Sequence, residues 1–402
     1  MGNDNKRKNR SGTLLSLATR LFAEAVNEAE KTDRKWLEAM PKVPGEEDFH
    51  YDGDLALIHT DDPLIEIARL QAEAGFLDDA LQTVGKVRHP HFKHILSQAE
   101  AMAAVACEME KAGKTPDAKK LFDQAGSAVM KNECCNECHE KAQVTVATEM
   151  ARAGFFENAL AIAEKIESQY FSNKDFRKSK VFARIASEMV LSGKDDREAI
   201  PILEKAIGLS KNSCRDYNRL ASECIAYEMT RIGKSELVES HLGASWLSSE
   251  AMKRAYERYS PHLLPDEEFE GELAKLVLKF KTSCRIGNED ELTWEYFALH
   301  SFGNRFNIRE QWVSRRLKEA STMVLGGDYP QGIEQFKHLS EMLGRSNSFS
   351  LRTRLSKASV ACEIVNTVNL LQKAKDGEFQ KPNFKKPTHA RSAGNRAKLR
   401  SG

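Results

Sequence analysis

The chain has 402 residues, and 60 Lys and Arg offset 59 Asp and Glu to a formal net charge of +1, so bulk charge does not point to nucleic acid. Hydrophobic residues make up 41% and charged residues 30%, with only 11 Pro, a profile that excludes a wholly disordered chain and suits a helical one. No run approaches the ~18 apolar residues that a membrane helix needs.

Residues 1–12 read as a basic tail carrying Lys6, Arg7, Lys8 and Arg10. Arg20 and Glu24 interrupt the apolar run that follows, which argues against a secretory signal. The opening M-G-N-D-N-K lacks the Ser or Thr of a myristoylation site. Eight Cys without an export signal read as reduced thiols, so the expected compartment is cytoplasmic. Residues 13–40 form an amphipathic helix, with Leu14, Leu17, Ala18, Leu21 and Ala25 on one face. Residues 41–62, beginning P-K-V-P-G-E-E-D-F, read as a linker.

Residues 63–245 repeat. The stretches I-A-R-L-Q-A-E-A-G, V-A-C-E-M-E-K-A-G, V-A-T-E-M-A-R-A-G, I-A-S-E-M-V-L-S-G and I-A-Y-E-M-T-R-I-G end at Gly75, Gly113, Gly154, Gly193 and Gly233, at spacings of 38, 41, 39 and 40. Ala80, Ala118 and Ala159 follow five residues after their glycines, and Ala199 follows six after Gly193. Apolar residues then recur at helical spacing, so each unit predicts helix, Gly turn, helix. Gly ends the first helix because it takes the left-handed conformation without steric cost. Asp78, Asp117 and Glu157 open the second helices, where a carboxylate meets the positive dipole end. The small Ala marks a close helix–helix approach.

The Gly, the Ala five later and endings such as Ala163–Ile166 and Leu203–Ile207 resemble the tetratricopeptide-repeat (TPR) superfamily. The resemblance covers about residues 60–245, with an echo at G-G-D-Y-P-Q-G-I-E-Q-F from Gly326, where Gly332 replaces Ala. It implies an all-α, right-handed α-solenoid and a role in binding other proteins. The period near 40 exceeds the family's 34 and the early first-helix aromatic is missing, so the family's peptide-contact rules are not carried over. Residues 246–372 are expected to be an irregular helical region, including the aromatic stretch from Leu292 to Trp312. Residues 373–402 carry nine basic residues against Asp376 and Glu378 and read as a disordered basic tail.

Two rows of residues recur in register. Cys135 and Cys214 lie 19 before their glycines, as does His94. Within Cys134–His139 the pattern C-x-x-C-H is a haem-attachment match, but it needs export. Cys135, Cys138 and His139 share a helix face, where free thiols mostly pack as small hydrophobes. The sharper reading is a metal site completed by His94, with His89 and His91 nearby. The second row is Glu108, Glu149, Glu188 and Glu228, each five before the Gly. Stacking would line these up as an acidic stripe for a basic peptide. Against that, Lys111, Arg152 and Arg231 follow at i+3 and can pair locally, whereas Leu191 leaves Glu188 without such a partner.

The chain has no G-x-x-x-x-G-K-[ST], H-E-x-x-H or G-x-S-x-G motif, so no catalytic residue or cofactor is assigned. The leading expectation is a non-catalytic scaffold or adaptor that binds a protein or peptide on its concave face through Glu108, Glu149, Glu188 and Glu228. The alternatives are RNA binding through the basic tails, which the near-zero net charge disfavours, and metal binding at Cys134–His139.

Overall fold

A computed structural model describes residues 2–39, 63–87, 94–131, 136–166, 174–211, 215–234, 308–345 and 357–375, with isolated helical positions at 236, 240 and 242. Among these the chain is all-α: thirteen helices and no strand. They are α1 (Gly2–Ala39), α2 (Pro63–Glu73), α3 (Leu77–Lys86), α4 (His94–Lys111), α5 (Thr115–Lys131), α6 (Asn136–Arg152) and α7 (Phe156–Lys165). There follow α8 (Lys174–Leu191), α9 (Asp196–Lys211), α10 (Arg215–Arg231), α11 (Ile308–Gly326), α12 (Tyr329–Arg345) and α13 (Lys357–Lys375). The linker at 41–62, the aromatic stretch before Trp312 and the tail beyond Lys375 lie outside the described residues.

Four hairpins pair α2 with α3, α4 with α5, α6 with α7 and α8 with α9. Their first helices also pack side by side, α2 on α4, α4 on α6, α6 on α8 and α8 on α10. Each turn glycine has positive φ, from +73° to +85° across Gly75, Gly113, Gly154, Gly193 and Gly233. The same two bonds close each turn. In the third, Gly154 N–H donates to Ala151 O at 3.0 Å and Phe155 N–H to Met150 O at 2.9 Å. This satisfies carbonyls that the helix end would otherwise orphan. Replacing Gly154 by Ala should therefore cost about 1–2 kcal/mol, the left-handed penalty of a side chain. A urea midpoint equal to that of the parent chain would refute this.

The residue after each turn behaves as its size demands. Ala80, Ala118, Ala159 and Ala199 are all fully buried. A further device recurs fifteen residues before the turn. Gln98 donates to Val84 O at 3.4 Å, His139 Nε2 to Val129 O at 2.5 Å, and Lys178 to Glu164 O at 2.6 Å. Each side chain on a first helix thus caps the preceding second helix, whose last carbonyls lack intrahelical donors.

Residues 308–345, inside the region expected to be irregular, form another Gly-turned hairpin. Gly327 has φ +99°, and Asp328 N–H donates to Met323 O at 2.8 Å. Trp312 is buried there, with the Arg316 guanidinium 5.4 Å from its ring centre. At the N-terminus, α1 begins at Gly2, well before the expected start at residue 13. Residues 2–12 contain no Pro to break the helix, but Gly, Asn, Asp and Ser fill seven of the eleven positions, so local propensity does not explain the extension. The apolar face from Leu14 to Ala29 is buried, with α1 packed chiefly along α13 and more lightly on α2. Phe22 meets Phe76 at 5.5 Å between ring centres.

Candidate functional site

The glutamate row lies on four consecutive first helices. The Gly turn fixes its register: with Gly at the helix end, a residue five positions earlier falls at the same place in the last turn of α4, α6, α8 and α10. Glu108 meets Lys111 at 2.7 Å, and Glu149 meets Arg152 at 2.9 Å. Both pairs are the i, i+3 contacts that spacing alone suggests.

The next two rungs merge. Arg184 reaches Glu188 at 3.2 Å and Glu228 at 2.6 Å. Arg231 reaches Glu188 at 3.1 Å and Glu228 at 2.9 Å. Two guanidinium groups and two carboxylates therefore close a ring between α8 and α10. Ser187, fully buried, accepts from Arg231 Nη2 at 2.7 Å. Burial works against the Arg184 charge, but the Glu228 and Glu188 carboxylates outweigh it and hold its pKa above the ordinary arginine value. Leu191 leaves Glu188 without a partner at i+3, yet Glu188 is paired. Its partners lie four residues back and on the next unit, where a search at i+3 does not look.

The exposure of each side chain decides what the row shows to solvent. Side chains of Glu108, Glu149, Glu188 and Glu228 are 8%, 13%, 14% and 3% exposed. Their cations Lys111, Arg152, Arg184 and Arg231 are 55%, 42%, 21% and 23% exposed. At every rung the cation is the outer member. The row is an ion-paired rail within the first-helix layer, with positive groups in front of the carboxylates.

The thiols pack. Cys107, Cys224 and Cys362 are buried and free. Burial, the largest influence on each, pushes all three from an ordinary 9.0 up to about 12. An unfolded thiol loses its proton near the ordinary value while a folded one keeps it. Stability from these groups is thus intact below about pH 9 and falls as pH rises toward 12. At pH 8 the three should resist a thiol-reactive dye until denaturant is added, and rapid labelling in native buffer would contradict their burial.

Of the metal candidates, His139 is half-buried, with Nε2 engaged at the α5 terminus. Cys138 lies in α6 and His94 opens α4, but their side chains, like Cys134, Cys135, His89 and His91 altogether, lie outside the described residues. Among the described residues no three His, Cys, Asp or Glu side chains gather in a way that could hold a metal ion, and no helix is long and apolar enough to cross a membrane. No family model, curated protein or solved structure matches the chain.

Proposed function

We propose that the chain is a non-catalytic interaction scaffold, built as a right-handed TPR-like solenoid, that holds a segment of another protein across the edge of its first helices. The supporting observation is the side-by-side packing of α2, α4, α6, α8 and α10, which repeats one surface at regular intervals. The rail gives that edge its chemistry. Because Lys111 and Arg152 stand outside their glutamates, an arriving chain meets cations first. The partner segment is therefore acidic, which revises the basic partner inferred from the glutamate spacing.

A photo-crosslinker at residue 111 or 152 of the full chain tests this. It should label a protein, and the labelling should weaken about tenfold when the other position is changed to Glu, as the loss of one partly desolvated charge contact predicts. Crosslinkers at Asp79 or Lys119, exposed on second helices, should label little. Labelling of RNA, or equal labelling from both sides, would overturn the reading.

A further inference from the structure

We propose that α1 and α13 together form one composite hairpin, a clasp of helices from opposite ends of the chain through which the stack can open. Its first helix is α13. That helix carries V-A-C-E-I at Val360–Ile364, matching V-A-C-E-M at Val105–Met109 in α4. Burial matches as well: Val360 and Val105 are both buried, as are Ala361 and Ala106, Cys362 and Cys107, and Ile364 and Met109.

The neighbours match too. α13 packs between α11 and α2, as α4, α6 and α8 each pack between two other first helices. α1 runs along α13 as a second helix does along its own first helix, and it touches α2, the next first helix, as α5 touches α6. Lys86 on α3 meets Glu30 on α1 at 3.3 Å, just as Lys205 on α9 meets Glu164 on α7. In space the order is therefore α11 and α12, then α13 and α1, then α2 and α3, and onward to α10.

One difference sets this unit apart. The other hairpins are joined by a Gly turn, which keeps the two helices at high effective concentration. α13 and α1 have no such turn, and side chains alone hold them. Leu14, Leu17, Leu21 and Phe22 are buried, and Lys357 donates to Glu24 at 2.8 Å and Glu28 at 2.6 Å. Release of α1 therefore bares the α13 face it covers and leaves the α11–α13 end joined to the remaining hairpins through the α13–α2 contact, without the support of α1 on α2. This holds whether or not the first-helix edge takes a partner.

The test uses the full chain with a specific protease site inserted between residues 41 and 62, cleaved in native buffer. The α1 fragment should co-elute with the remainder on size exclusion. In Lys357→Glu it should leave about tenfold faster. Amide exchange should then rise across α11–α13 and stay unchanged across α6–α9. Adding Glu24→Lys and Glu28→Lys to Lys357→Glu should restore retention, which separates loss of the clasp from general misfolding. Immediate loss of α1 from the cleaved parent, departure that leaves α11–α13 equally protected, or no restoration in the triple variant would each overturn the proposal.

Discussion

Glu228→Gln should destabilise the protein by about 3–5 kcal/mol, the cost of leaving a buried ion network with an uncompensated charge. Gln keeps the shape and removes one negative charge from a ring that is otherwise balanced, two Arg against two Glu. Arg184 and Arg231 would then share Glu188 alone, and the Glu228 side chain, 3% exposed, lies where water cannot replace the lost charge. The matched control is Glu149→Gln. Its Arg152 partner is 42% exposed, so solvent screens that pair and the expected loss is under about 1 kcal/mol. Adding Arg184→Met to Glu228→Gln restores the balance, with Arg231 facing Glu188. It should recover more than half of the lost stability, and the non-additivity measures the coupling. Urea unfolding of the four chains decides this. A Glu228→Gln loss no larger than that of Glu149→Gln would show that the ring is as well solvated as an ordinary surface pair.

That contrast also marks what the sequence makes legible. The Gly turns, the small residues after them and the acids opening the second helices each depend on a few neighbouring positions, so spacing reveals them. The Lys111–Glu108 and Arg152–Glu149 pairs are local for the same reason. The contact between Arg184 and Glu228 joins two units, and α13 meets α1 across nearly the whole chain. Such contacts leave no fixed spacing to find. The V-A-C-E-I motif of α13 is visible in the letters, but Val368 stands five after Glu363 where a turn Gly would be. A search anchored on Gly passes it by. The physical reason is the clasp itself: a first helix whose second helix comes from the other end of the chain needs no turn.

Gly332→Ala should destabilise the protein by about 1–3 kcal/mol, the usual cost of overpacking. By helix propensity alone the change would stabilise by about 0.5–1 kcal/mol. Sterics decide the sign. A Cβ at Gly332 would lie 2.5 Å from Val324 Cγ2, 2.9 Å from Ala320 O and 3.2 Å from Val324 N. Two of those atoms are backbone of α11, so the helices must separate to admit one methyl. This is why Gly occupies the place where the other hairpins carry a buried Ala: α11 and α12 approach more closely at this turn. Val324→Ala removes the nearest atom and leaves the carbonyl, so in the Gly332→Ala background it should recover only part of the loss. Gly208, in α9, has nothing within 4 Å of its Cβ position, and Gly208→Ala should raise the unfolding midpoint. Opposite signs at two helical glycines would establish that helix approach, and not glycine's backbone freedom, selects Gly332. A stabilising Gly332→Ala would place α12 farther from α11 than these distances require.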